Sequence, residues 1–114
     1  MSGSIENETL EDLATQMGGR EALGRIINMY TGKLPAEMDA LGASFEAGDL
    51  DDVRTSAHRL KSSSGQLGAR RLQVMLAGLE SAAGEGDVEA TGRILKEVSA
   101  EAELTRAELN ELSP

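Results

Sequence analysis

With 114 residues the chain is one ordinary domain, long enough to bury a core. It has no Cys, which excludes disulfides, thiolate metal sites and a cysteine nucleophile. Its net charge of −9 and pI of about 4.5 repel nucleic acid and anionic lipid, and its two aromatic residues, Tyr30 and Phe45, offer no stacking platform for single strands. Abundant Ala, Leu and Glu with few β-branched residues favour helix over strand. The opening of the chain carries several acids and no unbroken apolar run, and no segment approaches the ~18 apolar residues of a membrane span. A cytoplasmic location is therefore expected, with a flexible start over residues 1–7 and a single domain over residues 8–113.

The first predicted helix runs from Thr9 to Met17, with Leu10, Leu13, Ala14 and Met17 on one side, and Gly18-Gly19 ends it. The second runs from Arg20 to Ala47. Its apolar residues Leu23, Ile27, Tyr30, Leu34, Met38, Leu41 and Phe45 step by three and four, which is a helical face. Pro35 lies inside it, removes one backbone donor and crowds the carbonyl of Thr31, so a kink is predicted there and a break is the lesser alternative.

Gly48-Asp49 and Gly86-Asp87 punctuate the rest: Gly supplies a left-handed residue that ends one helix, and Asp caps the next. The third helix spans Asp49 to Leu67 with Val53, Ala57, Leu60, Ser64 and Leu67 inward. The fourth spans Ala69 to Ala83 with Leu72, Met75, Leu76, Leu79 and Ala83 inward. The fifth spans Asp87 to Leu112, with Val88, Leu95, Val98, Ala102, Leu109 and Leu112 on a seam interrupted by Thr91 and Thr105. Short connections force neighbouring helices antiparallel. The expected fold class is all-α: an antiparallel up-down-up-down four-helix bundle with a short extra N-terminal helix.

Chemistry concentrates between Ala57 and Ala69. If Ala57, Leu60, Ser64 and Leu67 face the core, a rotation of about 100° per residue turns His58, the chain's single histidine, outward. Asp51, Arg54, Lys61, Ser62 and Gly65 share its side. Ser62 and Gly65 are small, which costs helix stability but leaves room for another protein to approach the imidazole. An exposed neutral imidazole offers a nitrogen lone pair. A phosphoryl group placed there brings up to about two negative charges and three acceptor oxygens, which Lys61, and Arg54 one turn earlier, can offset. The sequence has no GxxxxGK[ST] loop to cradle ATP, no metal-ligand spacing around His58 and no sign of a Ser-His-Asp arrangement. A nucleophile with a charge neutraliser can hold a phosphoryl group, while the metal and acid–base groups must come from a partner.

The stretch Ala57, His58, Leu60, Lys61, Ser62, Ser63, Ser64, Gly68, Ala69 and Leu72 resembles the signature A-H-x-L-K-[GS]-S-S-x-x-x-G-A-x-x-L of histidine-phosphotransfer (HPt) domains. The run from Leu41 to Asp49, with Ser44 and Phe45 as local variants, and the later Leu79-Glu80 and Gly86-Asp87 pairs extend the resemblance to most of the chain, about Leu10 to Leu112. It implies a phosphoryl carrier without kinase activity of its own in a two-component phosphorelay; the sequence leaves the oligomeric state open, and a monomer is expected. By that likeness His58 takes the group from a receiver-domain aspartate and passes it to another, and Lys61 supports the phosphohistidine. No cofactor is expected on this chain, with Mg2+ in the partner receiver. Ser62 stands where the family often has Gly. In some members a Gln on the next helix contacts the imidazole, and here Glu80 occupies the nearest register. Partner contacts are expected from Arg54, Ser62, Gly65 and, on the first helix, Leu10 and Leu13. Two alternatives remain: the phosphorylatable domain of a chemotaxis-type histidine kinase, and a helical adaptor that never carries phosphate.

Overall fold

A computed structural model describes residues 5–112. It contains α1 (Asn7–Met17), α2 (Arg20–Glu46), α3 (Leu50–Gln66), α4 (Arg70–Gly84) and α5 (Val88–Leu112), and no strand among the described residues. Each predicted helix is present with ends displaced by a residue or two, as expected where caps fray. α2 runs continuously past Pro35, so the alternative of two separate helices is not realised.

The turns follow the predicted chemistry. Gly48 and Gly86 adopt φ of 76° and 73°, and the Asp after each caps the next helix. Asp49 Oδ1 accepts from the Asp52 amide at 3.1 Å, and Asp87 Oδ1 from the Ala90 amide at 3.0 Å. Each such cap stabilises its helix by about 1 kcal/mol.

α2, α3, α4 and α5 form a closed ring, each packed on two neighbours, and α1 lies against α2. Ile27, Leu41, Val53, Leu60, Leu72, Leu76, Leu79, Val98 and Leu109 fill the ring's interior. Burying each of these side chains contributes about 1.5–3 kcal/mol. Contacts between α3 and α4 pair in reversed order: Arg54 against Gly84, His58 against Glu80, Gly65 against Gln73. These two helices therefore run antiparallel, and the face of α3 that carries His58 looks along the α4 boundary.

Three expectations need correction. Val88 is 60% exposed and Leu112 is exposed, although both were placed on the α5 seam. Phe45, near the end of α2, packs on Gly92, so Val88 lies a turn beyond the helix that would have covered it. Leu112 lies in the last turn. The threonines expected to interrupt that seam are themselves fully buried, and Thr91 turns its hydroxyl back to the Asp87 carbonyl at 2.6 Å. Finally, residues 5–7 are not a loose start. Ile5 is buried and forms an antiparallel bridge with Ala69, the Glu6 amide donates to the Gly68 carbonyl at 2.8 Å, and Asn7 already begins α1. Residues 1–4 of the expected flexible segment, and the expected boundary at 113, lie outside the described residues.

Candidate functional site

His58 stands in the third turn of α3. Its neighbours Ala57 and Leu60 are fully buried, and that fixes the helix rotation which turns the imidazole outward, with 62% of the side chain exposed. The ring is not free. Its Nδ1 lies 2.8 Å from Glu80 Oε2 on α4, while the other oxygen of the same carboxylate lies 2.8 Å from Lys61 Nζ. One carboxylate thus bridges the imidazole and the ammonium across the α3–α4 boundary.

Hydrogen bonding from Lys61 holds the Glu80 carboxyl below the usual glutamate range, with the His58 bond adding to this and partial desolvation opposing it. An ionised carboxylate only accepts hydrogen bonds, so Nδ1 must be the protonated nitrogen and donates to Glu80. In the neutral ring the lone pair then lies on Nε2. Ser62, one turn further along α3, is small and exposed.

The other predicted site residues divide. Lys61 is where the sequence placed it, 29% exposed, but its ammonium is held by Glu80 before any phosphoryl group arrives. Arg54 is exposed and its stem leans over Gly84 at the end of α4. Gly65 is small for a reason other than open clearance: a Cβ there would meet the Gln73 amide at 2.3 Å, so the gap is already filled from α4. Leu13 is half-buried on the wall of a groove. Leu10 is a correction, because its side chain packs into the core and presents no surface to a partner.

That groove, of about 800 Å3, lies between α1, α2 and α3. Leu13, Met17, Ile26 and Met29 give it an apolar wall, and Arg59 and Ser63 bring in the helix of His58. Tyr30 also lines it and bonds Ser64 Oγ at 2.6 Å, joining α2 to α3. Burial pushes the Tyr30 phenol up to about 12, against the lowering effect of that hydrogen bond. Ser64 is therefore a polar tie as well as a small packing residue.

Sequence reasoning noted the register of Glu80 but not its bond to Nδ1. A usable signal exists: Gln73 and Glu80 are seven apart on α4, as His58 and Gly65 are on α3, so antiparallel packing sets one pair against the other. Among the described residues, no group of three or more His, Cys, Asp or Glu could hold a metal ion, and no helix is long and apolar enough to cross a membrane.

An all-helical fold presenting one imidazole beside a carboxylate and an ammonium has the equipment of a histidine phosphoryl carrier. The family profile described as the Hpt domain matches residues 25–112, and the chain belongs to that family. Its role is histidine phosphotransfer in a phosphorelay; proteins of this family are carriers that work with receiver domains, not kinases. Comparison with the curated proteins returns no match. Among solved structures, the chain is similar in fold to histidine-containing phosphotransfer protein B (HptB) from Pseudomonas aeruginosa PAO1. The TM-score is 0.91 at 19% identity, covering 99% of this chain and 96% of that one.

Proposed function

We propose that this chain carries the phosphoryl group on Nε2 of His58. The observation behind this reading is the bond from Nδ1 to Glu80, which fixes the proton on one nitrogen of an exposed ring and leaves the lone pair on the other. The Nε2 lone pair attacks the phosphorus of a receiver's aspartyl phosphate. The P–O bond to the aspartate breaks, and the aspartate leaves as a carboxylate. The ring gains positive charge as the P–N bond forms, and the Glu80 carboxylate opposes it at Nδ1. The reverse sequence delivers the group to a second receiver.

Lys61 turns from Glu80 toward the phosphoryl oxygens as they arrive, since a dianion competes well for its ammonium. Mg2+ is supplied by the receiver, and this chain binds no cofactor and does not phosphorylate itself from ATP. The receiver covers His58, the small Ser62, and the groove reached through Arg59 and Leu13, with Arg54 and Gly65 on the flanks. Continuity along α3 supports this footprint.

The scaffold is read as an up-down-up-down bundle with α1 added, one domain that takes in Ile5 and Glu6, monomeric and cytoplasmic. Reversed pairings of Tyr30 with Ser64, Ser44 with Asp52, and Phe45 with Gly92 support that path.

The test is transfer itself. A receiver domain charged with acetyl phosphate and Mg2+ should label the chain, and ATP alone should not. The label should be acid-labile and base-stable, and His58→Gln should abolish it. A helical adaptor would keep its activity in His58→Ala, which separates that reading from phosphotransfer.

A further inference from the structure

We propose that Ile5 and Glu6 are positioning residues for receiver docking: by pinning the start of α1 to the α3–α4 turn, they set the opening of the groove beside His58. This rests on the phosphotransfer reading above. The tie joins distant parts of the chain. Ile5 is 6% exposed and bridges Ala69, which is fully buried, and the Glu6 amide donates to the Gly68 carbonyl at 2.8 Å. Gly68 has φ of 77°, and a Cβ on it would come within 2.8 Å of the Glu6 carbonyl oxygen, so the turn is shaped to receive this segment.

The position of the tie gives it leverage. Ile5 and Glu6 immediately precede α1, whose Leu13 and Met17 form one wall of the groove. Gly68 and Ala69 immediately follow α3, whose Arg59 and Ser63 form the facing wall. The contact therefore holds two walls together at one end, with Thr9 of α1 also against Gly68, while the rest of α1 packs mainly on α2. His58 makes its own contacts on the other side of α3, with Glu80 and, through it, Lys61. Loosening the tie should thus disturb docking and leave the reacting nitrogen alone.

The experiment compares Ile5→Ser, Ile5→Val and Glu6→Pro in the full chain. Glu6→Pro deletes the amide donor at φ of −87°, a backbone angle near that of proline, and with it the carboxylate that accepts from the Thr9 hydroxyl at 3.0 Å, so Glu6→Gln, which keeps the amide and an acceptor oxygen, serves as its control and should keep the parent KM. Transfer from a receiver domain charged with acetyl phosphate gives KM and the saturating rate. Phosphoramidate, a small donor that needs no groove, reports on His58 alone. Ile5→Ser should raise KM about tenfold with the saturating rate held within about twofold, and Ile5→Val should restore the parent value. Glu6→Pro should raise KM in the same direction, and phosphoramidate labelling should match the parent throughout. Unchanged KM in both Ile5→Ser and Glu6→Pro overturns the proposal. So does a joint fall in phosphoramidate labelling and saturating rate in Glu6→Pro, the gentler variant, should Ile5→Ser fail to fold. A parent chain labelled by phosphoramidate but by no receiver would instead remove the function on which the proposal stands.

Discussion

Replacing Glu80 by Gln keeps the side chain's size and one acceptor oxygen for His58 Nδ1–H, but removes the charge and the second acceptor that holds Lys61, so in a background without Lys61 it isolates what the charge does for His58. A hydrogen bond to a charged group contributes about 1.5–3 kcal/mol and a neutral one about 0.5–1.5. The His58 ring is more than half exposed, which screens part of that difference and leaves about 1 kcal/mol. Because the ring becomes cationic as the P–N bond forms, the loss falls on the transition state and slows transfer about fivefold. One effect opposes it: without the carboxylate, Lys61 is free for the incoming phosphoryl group, and a partly exposed ion pair of this kind is worth about 1 kcal/mol. The measurement therefore uses two backgrounds, with rapid-quench transfer from a saturating phosphorylated receiver. In Lys61→Gln, adding Glu80→Gln should show the full fivefold fall. With Lys61 present the fall should be smaller. Equal rates with and without Glu80 in the Lys61→Gln background would refute the role assigned to the carboxylate.

Three further outcomes follow from the same contacts. Glu80 has a depressed folded-state value, so its contribution to stability is complete above the ordinary glutamate range and is lost as pH falls through the lowered value. A carboxylate titration followed by NMR should find Glu80 ionised where free glutamate is already half protonated, and an ordinary or raised midpoint contradicts this. Gly92→Ala would place a Cβ 2.8 Å from the Phe45 ring; overpacking of about 1–3 kcal/mol outweighs the ~1 kcal/mol gain in helix propensity, so urea unfolding should show a loss of about 1 kcal/mol. The Thr105 hydroxyl is buried without a hydrogen-bond partner, so Thr105→Val should raise stability by about 1 kcal/mol in the same assay, and a loss would show that the hydroxyl is satisfied.

Much of this molecule is legible in its sequence because its signals are local. The three-and-four spacing of Val53, Ala57, Leu60 and Ser64 fixes which side of α3 is buried, and the outward turn of His58 follows from that alone. The Gly-Asp pairs work because both steps, a left-handed residue and a side-chain cap, are made within a few residues. What escaped depends on distant contacts. The bond between Glu80 and Nδ1 requires the register of two helices, and the role of Gly65 requires knowing that Gln73 lies across it. Ile5 reads as part of a polar tail until Ala69 is brought beside it. Leu10 and Leu13 look alike as members of one apolar stripe, yet α2 and the core claim the first, and the groove keeps the second partly open. Val88 fits the α5 spacing but falls beyond the end of its neighbouring helix, a limit that periodicity does not contain.

The most direct measurement is a long-range 1H–15N correlation of the His58 ring, before and after phosphorylation by a charged receiver. The free protein should show the proton on Nδ1, and the phosphorylated protein should show phosphorus on Nε2 with Nδ1–H retained. A free ring protonated at Nε2, or a phosphoryl group found on Nδ1, would contradict the assignment of Nε2 as the carrier atom.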